Sequence, residues 1–344
     1  CDVMDSIDKF LRKNREVNLP FGGVQLLLVG DLFQLPPVAL KHEWDVLRAK
    51  GYASPYFFSA FSLQKASLVP VELTYVYRQQ DASFIGLLNQ IRVAENLHSV
   101  IAEVNTQCFR NAARLPDITL TCRNKEADQI NMRELQRIPS PEYSFLGKIE
   151  GYFSLERDRL PSPYDLRLKV GAHVMFTKNG SRWVNGTLGI VQHLDQGEHE
   201  PIRVELITGD HGSVVDVPRA IWENYRYEYD SERDQIAAKK VGEYAQYPLM
   251  LGWAVTIHKS QGKTLENVLV DLGHGAFAAG QVYVALSRCR SVGDLSLARP
   301  IRTTDIVCDS TVKEFSHALE EKVAAYQALK RGHQYDPPEQ PPPP

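Results

Sequence analysis

Asp31 and Gln34 lie three residues apart in the stretch GDLFQLPPV (30–38) and form the first pair that could handle a phosphate. A Gln amide can donate to a terminal phosphate oxygen and also hold a water. Pro36-Pro37 stiffens the exit of the stretch. Taken alone, the same residues are better suited to a sheet-edge turn capped by Asp31. Arg78, in LTYVYRQ (73–79), offers a guanidinium that could stabilise charge on a transferring phosphoryl group, or simply form a surface ion pair. The densest stretch is GWAVTIHKSQGKTLENVLVDL (252–272). There Thr256, His258, Lys259, Ser260 and Gln261 crowd ahead of a Gly-Lys-Thr turn, a set suited to phosphate oxygens. Gly262-Lys263-Thr264 is not a Walker A loop, because Ile257 stands where that loop needs its first glycine. In AAGQVYVALSRCR (278–290), Val282, Ala285 and Leu286 share a helix face with Arg288 near its end, where the Arg complements the helix dipole or reaches a ligand.

These side chains need rigid elements behind them. The run 24–29 (VQLLLV) ends at Gly30 and predicts a strand buried on both faces of a parallel sheet. Residues 69–76 predict another strand, followed by an amphipathic helix over about 83–94. A strand at 118–121 precedes a helix over about 125–135, and this alternation predicts an α/β architecture with a mostly parallel sheet. From about 166 to 229 the character changes to short alternating stretches (HVMFT, LGIVQHL, RVELIT, SVVDVP) with turns at Asn185-Gly186 and Gly209-Asp210. That pattern predicts a small antiparallel barrel inserted in the α/β frame. The aromatic cluster IWENYRYEY (221–229) reads as the barrel's exit and core. Strand, helix and strand return at 267–272, 279–287 and 294–298, and the tail YDPPEQPPPP cannot form helix or sheet.

At 344 residues the chain has room for two cores and an insert. Its net charge of −3 argues only weakly against a nucleic-acid partner, since basic residues can be confined to a channel and need not cover the surface. Five scattered cysteines read as reduced thiols, and neither they nor the ten histidines show zinc spacing. No apolar run of about eighteen residues is present to span a membrane. The first residues carry neither an initiator methionine nor an apolar signal core, so Cys1 is expected not to be the natural start.

In order and spacing, the stretches resemble the superfamily-one DNA helicases of the PIF/RecD type. GDLFQLPPV looks like their third motif, LTYVYRQ their fourth, WAVTIHKSQGKT their fifth and QVYVALSRC their sixth. LKVGAHVMFTKN with VNGTLG (168–189) is similar to the strand pair opening their inserted barrel. The resemblance implies an ATP-driven motor of two RecA-like domains that moves 5′ to 3′ on single-stranded DNA and unwinds duplex or fork junctions. It implies that Gln34 senses the γ-phosphate and that Arg78 and Arg288 reach it from the second domain. It implies that Gly262 and Lys263 border the nucleotide cleft, and that Asn124, Thr256, His258, Lys259 and Ser260 hold the DNA backbone.

The family's phosphate-binding loop and its Asp-Glu magnesium motif are missing from these residues, and CDVMDSIDKFL resembles what normally follows that Asp-Glu. The implied ATP and Mg2+ would therefore lack their lysine cradle and metal ligands here, and the chain alone should not turn over. The expected organisation is a first RecA-like remnant over 1–70, a second RecA-like domain over 71–165 and 246–312, the inserted barrel over 166–245, and a C-terminal helix with a Pro-rich tail over 313–344. A monomer inside the cell is expected, cytoplasmic if bacterial and nuclear or mitochondrial if eukaryotic. Two other readings stay open: a catalytically dead nucleic-acid-binding subunit, and the motor of a larger helicase–nuclease or relaxase.

Overall fold

The computed structural model describes residues 1–64, 66, 68–109, 116–153, 160–195, 200–230 and 235–332. The Pro-rich tail lies outside them. The chain forms two compact units, one from Cys1–Phe109, His274–Val292 and Pro300–Pro344, the other from Arg110–Gly273 and Gly293–Arg299.

The second unit is built on strands. Strands β1 (Ile118–Thr121), β12 (Ala254–Thr256), β13 (Val268–Asp271) and β14 (Leu295–Leu297) make a fully parallel sheet in the order β12-β1-β13-β14. Ile118, Leu120, Val255, Val268 and Val270 are all buried, as parallel sheets covered on both faces require. Helix α6 (Asn124–Arg137) follows β1, and the buried Asn131 side chain ties it to β12 by accepting from Ala254 N and donating to Ala254 O, each at 2.8 Å. Helix α7 (Ile257–Ser260) starts directly where β12 ends.

The expected middle strands are all present: β5 (His173–Phe176), β6 (Leu188–His193), β7 (Ile202–Leu206) and β8 (Val214–Val217) form an antiparallel sheet in the order β11-β5-β6-β7-β8, with β11 at Leu249–Leu251. Their inward residues, Val174, Phe176, Val191, Val204 and Val217 among them, share one apolar core with Leu135, Phe145, Leu166 and Leu168. Strands β2 (Tyr143–Leu146) and β4 (Asp165–Leu168) pair beside it. No closed barrel is found among the described residues. Closure requires the edge strands to pair with each other, but β8 and β11 are opposite edges of an open sheet. The chain after β8 instead enters a long hairpin, β9 (Ala220–Asp230) with β10 (Gln235–Gln246), joined by β3 (Lys148–Gly151). The expected core is not seen among the described side chains of the aromatic cluster: Tyr225 and Tyr227 are exposed, while Trp222 stacks on Tyr244 at 5.7 Å between centroids.

The first unit contains no strand among the described residues. It holds α1 (Asp2–Arg15), α2 (Lys41–Ala49), α3 (Phe61–Gln64), α4 (Ala82–Val93), α5 (Leu97–Cys108), α8 (Gln281–Leu286) and α9 (Ser310–Gly332). Asp81 caps α4 by accepting from Ser83 N at 2.8 Å, and the helix buries Phe84, Leu87, Leu88 and Ile91. The strands predicted at 24–29 and 69–76 are not formed. Leu26 packs toward Phe21, Ala60 and Leu63, but Leu27 and Val29 are 88% and 84% exposed and Leu73 is 85% exposed. An apolar run marks the capacity to be a buried strand, and a ladder needs a neighbouring strand that the described residues of this unit do not supply.

Candidate phosphate-facing cleft and nucleic-acid edge

In the first unit, Asp31 organises the 30–38 stretch. Its carboxylate accepts from Phe33 N at 3.1 Å and from the Gln34 side-chain amide at 3.2 Å. Two helices reach the same carboxylate: Arg92 of α4 donates to it at 3.1 Å, and the Tyr283 hydroxyl of α8 at 3.1 Å. Burial first, and the Asp31 charge second, push the Tyr283 phenol up to about 12, so it stays a donor. Arg92 also lies over the Phe33 ring, 4.8 Å from its centroid. Gly280, at the start of α8, has φ +70°, and a Cβ there would come within 2.2 Å of Phe33 O. Only glycine permits that approach.

Gln34, Arg78 and Arg288 line one solvent-open cleft of about 90 Å³, together with Gln79, Tyr283 and Ser287. Arg78 donates to Ser287 O at 2.9 Å. Arg288 is buried, donating from Nε to Val284 O at 2.7 Å and from Nη2 to Ser287 Oγ at 2.8 Å. Burial first, then the neighbouring Arg78 charge, pull the Arg288 guanidinium down to about 10, still cationic at neutral pH. Two guanidiniums and a carboxamide on one cleft make an anion-receiving site, and an oligophosphate fits that donor set. The structure thus brings together three residues named from separate sequence stretches. Asp31 caps the turn as its stretch allows, but its ties to Arg92 and Tyr283, and those of Gln79 to Ser287 and Cys289, are not foreseen in the sequence. Asp31 and Gln79 stood inside the quoted stretches, but their partners lie far away in sequence.

In the second unit, the pairing of Thr121 with Thr256 puts the carboxyl ends of β1 and β12 side by side. Asn124, at the first turn of α6, and α7 therefore share one sheet edge, the edge where open α/β sheets take ligands. Lys259 and Asn124 are exposed there, and His258 is half-buried, with burial lowering its pKa so that the imidazole is neutral near pH 7. Thr256 and Ser260 are buried: the Thr256 hydroxyl accepts from Lys259 N at 3.4 Å and Ser260 Oγ donates to Ile257 O at 2.8 Å, so both shape α7. Gly262 is exposed at φ +80°. Lys263 runs against the turn between β5 and β6, with Nζ 3.4 Å from Asn185 Oδ1 and 3.5 Å from Met175 Sδ, and burial lowers its pKa. Among the described residues no group of three or more His, Cys, Asp or Glu is placed to hold a metal.

No family model matches the chain. It is 33% identical over 328 residues to the ATP-dependent DNA helicase PIF1 of Rattus norvegicus, covering 93% of this chain and 47% of that protein. With the Homo sapiens protein of the same name it shares 32% over 347 residues, 96% of this chain and 48% of that one. The chain thus spans about half the length of the curated relatives it matches. Among solved structures, unliganded Pif1 from Bacteroides sp is 33% identical with a TM-score of 0.74, covering 93% of this chain and 73% of that chain. Bacteroides Pif1 in complex with ADP-AlF3 and ssDNA is 33% identical with a TM-score of 0.71, covering 93% and 72%. The architecture is that of an α/β RecA-like helicase core. The chain belongs to the Pif1 helicase family.

Proposed function

We propose that these residues are the sensor and DNA-grip portion of an ATP-dependent DNA helicase that travels 5′ to 3′ on single-stranded DNA and opens duplexes and forks. The observation that carries this reading is the convergence of Gln34, Arg78 and Arg288 on one cleft. Gln34 faces the terminal phosphate of ATP and holds the attacking water, while Arg78 and Arg288 meet the charge spread over the transferring group. Bound nucleotide supplies the phosphoryl group whose hydrolysis drives translocation, with Mg2+ as its counter-ion. By the family resemblance, Gly262 and Lys263 belong to the nucleotide-binding residues of the complete motor. Asn124, Thr256, His258, Lys259 and Ser260 form the strip that holds the DNA backbone, with Lys259 making the charged contact and Thr256 and Ser260 holding α7 in shape.

The functional division is a first RecA-like remnant over 1–70, a second RecA-like domain over 71–165 and 246–312, an inserted small barrel-type β-module over 166–245, and a C-terminal segment over 313–344. The protein acts as a monomer inside the cell. No described helix is long and apolar enough to cross a membrane.

No G-x-x-x-x-G-K followed by Ser or Thr occurs in the 344 residues. Purified alone, they should therefore show no DNA-stimulated ATPase, while the product of the complete reading frame should. Turnover that follows the 344-residue chain through two chromatographic steps would refute the first statement, and an inactive complete product would refute the second.

A further inference from the structure

We infer that Gln79 is a positioning residue for Arg288, clamping the backbone on both sides of that arginine so that its guanidinium is held ready for phosphate. The inference rests on the proposed role of Arg288. Gln79 is buried, and both hydrogens of its carboxamide nitrogen are used, one on Ser287 O at 3.1 Å and the other on Cys289 O at 2.8 Å. These two carbonyls flank Arg288 directly. They follow α8, where carbonyls have no further helical amide to accept from, so they need donors from elsewhere. The donor comes from a segment more than two hundred residues away in the chain.

Arg78, the residue before Gln79, donates to the same Ser287 carbonyl at 2.9 Å. One dipeptide therefore supplies a guanidinium to the cleft and fixes the turn that carries the other guanidinium. The two arginines are registered against each other through Ser287, whose hydroxyl also accepts from Arg288 Nη2. A carboxamide suits this place: it reaches two acceptors from one nitrogen and adds no charge beside two cations. Glu could not donate, and Lys would add a third positive charge next to Arg78 and Arg288.

The test uses the full-length protein, with Gln79→Met, Arg288→Ala and the double variant. Methionine keeps volume and removes both hydrogen bonds. If Gln79 works through Arg288, Gln79→Met should lower kcat for DNA-stimulated ATP hydrolysis by about 10- to 100-fold, the scale of a small misplacement of a reacting group. KM for ATP and single-stranded DNA affinity without nucleotide should stay nearly unchanged. The double variant should be no slower than Arg288→Ala alone. Losses that multiply, or a Gln79→Met protein with normal kcat, would overturn the positioning role and leave the Arg288 reading standing. Normal ATPase in Arg288→Ala would overturn that reading and the inference with it. A melting curve accompanies each variant. If Gln79→Met does not fold, Gln79→Asn, which keeps the amide but is too short to bridge both carbonyls, is read by the same criteria.

Discussion

The two units are held together by different means. The second unit rests mainly on backbone ladders, four sheets among the described residues, with buried Asn131 and Gln246 as its own side-chain ties. The first has no described strand and is joined by buried side chains that accept or donate over long stretches of sequence. Asp5 of α1 accepts from the Tyr52 hydroxyl at 2.7 Å and from the amides of Ser62 at 2.7 Å and Phe61 at 3.2 Å. Asp8 accepts from Phe21 N at 2.6 Å, and Asp31 and Gln79 gather the cleft. A ladder spreads its stabilisation over many equivalent bonds and tolerates a side-chain change at its rim. A hub concentrates it in one carboxylate or amide, so a single substitution strips several buried partners at once. The cleft lined by Gln34, Arg78 and Arg288, the proposed phosphate sensors, sits in the hub-built unit.

The largest effect should come from the cleft. In the full-length protein, Arg78→Ala and Arg288→Ala should each lower kcat by about 10³ or more, as removal of arginine fingers does. Single-stranded DNA binding without nucleotide should change little. Steady-state ATPase at saturating DNA checks both, and near-normal turnover in either variant removes that arginine from the site.

Next in size is the hub itself. Asp5→Ala leaves a buried hydroxyl and two amides without an acceptor and should destabilise the first unit by about 2–4 kcal/mol. Arg203→Ala in the second unit breaks only the exposed pair between Arg203 and Asp216 at 3.2 Å, and should change stability by less than about 0.5 kcal/mol. Denaturant melts of the two variants decide whether the contrast between the units is real; equal losses would erase it. The pH dependence has a definite sign. Burial alone would raise the Asp5 carboxyl, but the hydrogen bonds from Ser62, Tyr52 and Phe61 outweigh it and hold the group below its ordinary value. Its stabilisation is therefore present above the unfolded carboxylate pKa of about 3.9 and is lost as pH falls through the folded value. Asp5→Asn should flatten that acid limb.

The same contrast explains what could be read from residues alone. The ladder-built unit was legible because apolar runs such as 118–121 and 268–271 find their partners within the chain, and turn pairs such as Asn185-Gly186 mark where strands reverse. The run 24–29 carries the same pattern, yet periodicity says nothing about whether a neighbour is there. In 221–229 the expected core meets exposed Tyr225 and Tyr227, because exposed tyrosines on a hairpin have the same period as core tyrosines in a barrel. At the cleft, residue type leaves Gln34, Arg78 and Arg288 open to plain structural roles, and only the resemblance of their stretches to helicase motifs groups them. Their supports are not legible even so, since Asp31 meets Tyr283 across 252 residues and no local spacing encodes that pairing. At the sheet edge, a hydroxyl before a short helix can serve a ligand or cap the helix, and the residue types of Thr256 and Ser260 leave that ambiguous.

That ambiguity sets the smallest prediction, a pair of changes at the edge of the ladder-built unit. Lys259 is exposed beside Asn124, whereas Thr256 is buried and acts on α7 through the Lys259 amide. A cation on a phosphate displaces a counterion, so Lys259→Ala should weaken single-stranded DNA binding about equally for all sequences. It should also make the slope of log K against log salt shallower by roughly 0.7, the single-strand value for one contact. Thr256→Val removes a cap and no charge. It should weaken binding by about 1 kcal/mol through a loosened α7 and leave the slope where it was. Fluorescence anisotropy across a salt series, run on the 344-residue chain, measures both quantities in one experiment. An unchanged slope for Lys259→Ala would take Lys259 out of the DNA-binding strip. A slope change for Thr256→Val would mean that α7 presents its cation only when capped, which would make this edge a hub as well and remove the difference drawn between the two units.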